Sequence, residues 1–138
     1  MGKLTTLILL FCLTNVFAQD ASLGAIELEM DTIENDEGQM LIGLYDAEEN
    51  WLNKIRIGKV GVIKKGKSRV IFENIPEGTY AISVFHDQDN NGKLKTFLGI
   101  PTEGTGSSNN APARFGPPKW EDAKFQVQGN SIEQKINR

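Results

Sequence analysis

The 138-residue chain has a net charge of −3, a single histidine and a single cysteine. Its longest run of basic side chains is Lys64-Lys65, so the overall charge argues against nucleic acid and anionic membranes as partners. Cys12 falls in an N-terminal segment with the features of an export signal. Without Cys12 the chain can form neither a disulfide nor a cysteine-ligated zinc site.

Residues 1–18 have the three parts of a signal peptide: a positive start at Lys3, an apolar stretch at 7–13 and small residues ending at Ala18. The apolar stretch is shorter than the roughly 20 residues that a membrane-spanning helix needs, and no later segment approaches that length. We therefore expect an exported protein, periplasmic or secreted, that is cleaved near Ala18 and has no transmembrane segment. Residues 19–138 suit a single monomeric domain, since a chain of about 120 residues can bury about two-thirds of its unfolded surface.

Apolar and polar residues alternate in the first part of the mature chain. Ile26, Leu28 and Met30 share one face of residues 25–31, which predicts a half-buried strand. Residues 40–45 are apolar almost throughout and predict a central strand. The pattern between residues 51 and 62 fits a short helix, an irregular crossover or a strand equally well.

Further strands are predicted at residues 67–75, 80–86, 94–100, 124–128 and 131–136. Turn signals separate them at regular intervals, and no amphipathic helix of convincing length is present. This spacing predicts an all-β fold, an antiparallel two-sheet sandwich of about seven strands.

An acidic turn follows the predicted strand at 80–86. Asp87, Asp89 and Asn91 stand at alternate positions before Gly92, and this is how oxygen-ligand calcium loops begin. Lys93 would add its carbonyl oxygen. The helix-loop-helix form of the motif is excluded, because a strand precedes the turn and its twelfth place lacks the required glutamate.

Glu103 is the carboxylate that could complete this turn from the next polar stretch. A calcium site and a plain hairpin turn both remain open, because Asn-Gly is by itself a strong turn dipeptide. The predicted metal ligands are Asp87, Asp89, Asn91, Lys93 and Glu103.

A long polar loop runs from residue 101 to residue 119, and a connector of this length is either functional or disordered. Its prolines should stiffen it, and Ile100, Phe115 and Trp120 should pin it to the domain. The loop could bind a glycan, a peptide or an envelope protein, or its side chains could satisfy its own backbone. The predicted ligand-binding residues are His86, Thr102, Ser107, Ser108, Asn109, Asn110 and Trp120.

The favoured function is a non-enzymatic binding or accessory domain. One alternative is a small hydrolase that uses His86 and nearby carboxylates, but His86 and Asp87 are neighbours on a strand and point to opposite faces, so a triad is disfavoured. The third hypothesis is a purely structural domain, in which these residues serve only the fold.

Several motifs occur in order along the chain: Asn74–Ala81, Val84–Asp87, Asn91–Leu94, Leu98–Gly104, Ser108–Ala111 and Phe115–Pro118. In these motifs the chain closely resembles the bacterial family known as domain of unknown function 2141, from about Gly24 to the C-terminus. The resemblance implies an exported immunoglobulin-like or prealbumin-like β-sandwich with no established activity. Similar chains usually carry an acidic residue where this one has Lys95, which removes a possible ligand and places a positive charge beside the turn.

Overall fold

The computed structural model describes residues 22–137. The predicted signal peptide, residues 1–18, and its cleavage point near Ala18 lie outside the described residues. None of the helices within 22–137 has the length and apolar character needed to cross a membrane.

The described residues form ten strands, one helical turn and two 3-10 turns. The strands are β1 (Leu23–Asp31), β2 (Gln39–Tyr45), β3 (Ile57–Gly61), β4 (Ser68–Pro76), β5 (Gly78–Asp87), β6 (Thr96–Phe97), β7 (Ile100–Pro101), β8 (Thr105–Ser107), β9 (Phe125–Val127) and β10 (Ser131–Asn137). The helical turn is α1 (Trp120–Ala123), and the 3-10 turns are Glu48–Asn50 and Ser108–Asn110.

Two sheets make up the domain. The larger has the order β3-β2-β5, with β8 and β9 both paired to the far edge of β5, and the smaller has the order β10-β1-β4. Strands β6 and β7 form a separate hairpin. The predicted all-β sandwich is confirmed, and its paired strands are antiparallel except for β1 and β10, which run parallel.

The core lies between the two sheets. Ile26, Leu28 and Met30 are fully buried on one face of β1, as their alternation predicted. Strand β2 is central in its sheet, also as predicted, and lies between β3 and β5. The facing side chains of the larger sheet include Met40, Ile42, Leu44, Tyr80, Ile82 and Val84.

The structure decides one open alternative and differs from the sequence analysis in two other places. In segment 51–62, where a helix, a crossover and a strand had all remained open, strand β3 follows a short turn. The predicted strand at 94–100 is instead one arm and the tip of the β6–β7 hairpin, and the long polar loop contains β8. Ile100 and Phe115 do not pin this loop, because both side chains are exposed, whereas Trp120 is buried edge-on to Trp51 with ring centroids 6.0 Å apart.

Candidate metal site

Asp87 organises the acidic turn at the end of β5. Its side chain is fully buried, its Oδ1 accepts the Asn91 N–H at 3.1 Å, and its Oδ2 accepts the Gly92 N–H at 2.9 Å. The Gln39 side-chain amide donates to the same Oδ2 at 2.9 Å. Gly92 has a φ of +75°, which a glycine adopts without steric cost. The tight turn therefore folds around this one carboxylate.

Glu103 reaches the turn from the far side of the β6–β7 hairpin. Its side chain is only 7% exposed, and Oε1 accepts the Gln88 N–H at 3.2 Å. Oε2 accepts the Lys95 N–H at 3.0 Å. The hairpin reverses the chain between residues 95 and 102, where the Thr102 N–H donates to the Lys95 carbonyl at 2.9 Å, and so returns Glu103 to the turn.

Three carboxylates converge at this point. Asp87, Asp89 and Glu103 each place one oxygen within 4.8 Å of the others, and only Asp89 is exposed. Within residues 22–137, no lysine, arginine or histidine forms an ion pair with any of the three. Their mutual repulsion is therefore countered by N–H donors and solvent but by no basic side chain.

The other two predicted ligands border this cluster. The Asn91 side-chain amide donates to Asp89 Oδ2 at 3.1 Å, and its Oδ1 accepts the Lys93 N–H at 2.8 Å. A carboxylate or amide oxygen has two lone pairs, so an oxygen that accepts one N–H can still coordinate a cation. The structure thus brings Asp87, Asp89 and Glu103 together and places Asn91 and Lys93 on the loop beside them.

Hydrogen bonding controls the ionisation of Asp87. Burial alone would raise the pKa of this carboxyl group, but the hydrogen bonds donated by Gln39, Gly92 and Asn91 outweigh burial, and the pKa lies below its usual value. The carboxylate is therefore charged at neutral pH, as a metal ligand must be.

His86 lies on the opposite face of β5, in the core. Its side chain is fully buried, its Nε2 is 2.6 Å from the Glu37 carbonyl oxygen, and its Nδ1 has no hydrogen-bond partner within the described residues. Two surface concavities of about 410 and 340 Å³ do not include His86. The side chain has no exposed surface with which to meet a substrate, so nothing in its surroundings favours the hydrolase alternative.

Ser107 and Ser108 are buried where the long loop meets β5. Ser108 Oγ accepts the Ile82 N–H at 2.9 Å and donates to the Ala123 carbonyl at 2.6 Å. Ser107 Oγ makes a longer bond, 3.4 Å, to the Ala111 carbonyl. Ser108 therefore fastens α1 to the larger sheet.

Asn109 and Asn110 continue this attachment towards β10. Asn109 Nδ2 donates to the Lys124 carbonyl at 2.8 Å, and its Oδ1 accepts the Gln134 side-chain amide at 3.1 Å. Asn110 donates to the Lys135 carbonyl at 3.1 Å and accepts the Asn137 N–H at 2.9 Å. These side chains join the loop to β10 and to the residue that follows α1, and ligand binding by them stays a prediction.

The remaining predicted binding residues also have partners inside the domain. Thr102 Oγ1 donates to the Lys95 carbonyl at 3.2 Å, and Trp120 packs in an aromatic cluster with Trp51 and Tyr45. Sequence analysis missed Gln39, whose amide bonds Asp87. This contact depends on the pairing of Gln39 with Asp87 between β2 and β5, a register that the local sequence does not reveal.

The fold and the site together define an all-β sandwich with a carboxylate cluster at one end of its larger sheet. The chain belongs to DUF2141, a family of uncharacterized proteins conserved in bacteria, whose model matches residues 28–135. Comparisons with curated proteins and with solved structures gave no match.

Proposed function

We propose that this protein is an exported, non-enzymatic binding domain that holds a calcium ion at the turn formed by Asp87, Asp89 and Asn91, with Glu103 completing the site. The observation that carries the proposal is the convergence of three carboxylates within 4.8 Å without a basic partner among the described residues. A divalent cation would relieve the repulsion among these charges.

The donor set fits a hard cation. All the side-chain donors are oxygens, which suit calcium, magnesium or manganese better than zinc or copper. Calcium takes six to eight oxygens in flexible geometry, so the three carboxylates, the Asn91 amide and the Lys93 carbonyl would need water to complete the set. Asp89 is exposed and gives an ion access from solvent.

Titration calorimetry on the exported protein, stripped with a chelator, tests the proposal. Because extracellular sites of this chemistry bind calcium with a Kd of roughly 10⁻⁴ to 10⁻³ M, the titration must reach millimolar calcium. We expect saturable binding and a rise in Tm that follows mass action. Asp89→Asn keeps the shape of the side chain and should weaken binding on the order of tenfold by removing one ligand charge.

Asp122→Asn is the matched control, because the Asp122 side chain is exposed and lies outside the carboxylate cluster. It should bind calcium as the unmodified protein does. If millimolar calcium produces neither heat nor a Tm shift, the proposal is wrong. The turn is then only a hydrogen-bonded hairpin connection, and the purely structural domain becomes the favoured interpretation.

A further inference from the structure

The β6–β7 hairpin carries an exposed apolar tip. Phe97 and Ile100 pair across the two strands and are each 69% exposed, and Leu98 in the turn between them is 87% exposed. The hairpin pairs with neither the larger nor the smaller sheet of the sandwich. Three large apolar side chains therefore project from the domain on one short element.

The turn residue Leu98 has an unfavourable backbone conformation. Leu98 and Gly99 have φ angles of +51° and +79°, as a type I′ turn requires. Asn, Asp or Gly suits the first of these positions, whereas a leucine there is strained. A polar residue at this position would stabilise the fold better than leucine does. The apolar side chain at the tip therefore indicates a role other than folding.

Two lysines lie at the base of the same hairpin. Lys93 and Lys95 are exposed, and neither forms an ion pair within residues 22–137. Strand geometry puts Leu98 about 10 Å beyond Lys95, at roughly 3.3 Å per residue. The polar headgroup layer of a bilayer is roughly 5–8 Å deep on each side, so an inserted tip would leave the Lys95 ammonium group level with the lipid phosphates, with Lys93 two residues further from the tip.

We propose that the β6–β7 hairpin is a membrane-docking element, whose tip enters the outer layer of a phospholipid bilayer while Lys93 and Lys95 meet anionic headgroups. A convex tip suits a bilayer, which deforms around it, whereas a protein partner would need a matching cleft. The overall negative charge that argued against an anionic membrane does not describe this surface, because charges more than a Debye length of about 8 Å away are screened.

The docking element is joined to the metal site, and this part of the inference rests on the proposed function. Glu103 accepts the Lys95 N–H, so the carboxylate cluster lies at the base of the hairpin. Without a cation the three carboxylates outweigh the two lysines and repel lipid phosphates. A bound calcium ion reverses that balance, and membrane binding therefore strengthens with calcium.

Sedimentation with lipid vesicles tests the inference. The exported protein is mixed with vesicles of phosphatidylcholine alone, or with a quarter of phosphatidylglycerol, in millimolar calcium or in chelator. Leu98→Asn should lower the partition coefficient about tenfold or more, which corresponds to burial of one leucine side chain. Lys95→Gln should lower it roughly fivefold, and only on the anionic vesicles.

The variants separate docking from folding. Leu98→Asn should melt at the same temperature as the unmodified protein or higher, because asparagine tolerates a positive φ. Val62→Asn is the matched control, since Val62 is 71% exposed and lies outside the hairpin. It should sediment as the unmodified protein does.

Docking and calcium binding can fail separately. Calcium binding in the calorimeter without sedimentation on any vesicle would overturn the docking inference, leave the proposed function intact and point to an apolar cleft on a protein partner. Equal sedimentation of Leu98→Asn and the unmodified protein would also overturn docking. Sedimentation that Leu98→Asn abolishes, but that is the same in calcium and chelator, would support docking and overturn its link to the metal site.

Discussion

The backbone N–H of Lys95 donates to the carboxylate of Glu103 at 3.0 Å, and this bond joins the β6–β7 hairpin to the acidic turn. The other oxygen of the same carboxylate accepts the Gln88 N–H at 3.2 Å. Glu103 therefore holds together the start of the turn and the base of the hairpin, and a substitution of this side chain should affect both.

Glu103→Gln tests this double role. The two N–H groups bond different oxygens of Glu103, and the amide replaces one of these oxygens with an NH2 donor, so one of the two bonds is lost together with the charge. We expect calcium affinity to fall on the order of tenfold and amide hydrogen exchange to accelerate at Lys95. Calorimetry and exchange measurements check the two effects. Glu121→Gln, at an exposed ion pair with Lys124, is the control and should leave both unchanged. Unaltered exchange at Lys95 would contradict the role in the hairpin.

Ser108→Ala should destabilise the domain. The substitution leaves the Ile82 N–H and the Ala123 carbonyl without their buried partner, which costs roughly 1–3 kcal/mol of unfolding free energy. Ser107→Ala removes a single long bond and should cost much less. Urea unfolding of the two variants measures the difference. Similar losses for both would show that burial of the hydroxyl, and not the attachment of α1, sets the effect.

Stability should fall in acid because several carboxylates, Asp36 and Asp87 among them, accept hydrogen bonds in the folded state. The Gly66 and Lys65 N–H groups lower the pKa of Asp36, and the donors around Asp87 lower its pKa despite burial. Both groups stabilise the fold above the unfolded pKa of about 3.9, and this stability is lost as the pH falls through their lower folded values. Urea midpoints measured from pH 7 to pH 2 should decline only at the acid end.

Asp36→Asn checks the assignment of this acid dependence. The amide oxygen cannot replace both carboxylate oxygens, which accept the Lys65 and Gly66 N–H groups at 2.8 Å each. The variant should be less stable at neutral pH and lose less stability in acid. A pH profile parallel to that of the unmodified protein would rule out Asp36 as a contributor.

Two glycines in strands should respond oppositely to alanine. A Cβ at Gly24 would lie 2.5 Å from the Asn130 carbonyl oxygen, so the backbone must shift, at a cost of about 1–3 kcal/mol. A Cβ at Gly58 would meet no atom closer than 3.9 Å, and alanine there should stabilise the strand by up to about 1 kcal/mol. Thermal melting of both variants distinguishes them. Equal changes in Tm would mean that the backbone around Gly24 can shift to accept a Cβ atom without loss of stability.

Local patterns in the sequence predicted the strands whose two faces differ. Ile26, Leu28 and Met30 alternate with charged residues, and the alternation alone assigns them to the core. The direction of β10 could not be predicted in this way, because Ile132 and Ile136 alternate identically in a parallel or an antiparallel strand. That choice depends on how distant segments pack.

The candidate metal site could also be predicted only in part from the local sequence. The spacing of Asp87 and Asp89 marked the turn, and Glu103 was identified as the acidic residue that could reach it. Exposure was not predictable: Ile100 and Phe115 are large and apolar, which favours burial, yet both face solvent. The part played by Ser108 was hidden because its partners, Ile82 and Ala123, belong to elements that only the folded chain brings together.

The parallel pairing of β1 with β10 has a consequence for a chain that is still being synthesised. Ala25 pairs with Ser131, so the first strand receives one of its two neighbours only when almost the whole domain exists. At about 5–20 residues per second the interval is roughly 5 to 20 seconds. Until then the smaller sheet presents an open edge, the kind of surface on which strands of other chains add. Protection by a chaperone during that interval would matter more for this domain than for one whose sheets form from consecutive hairpins.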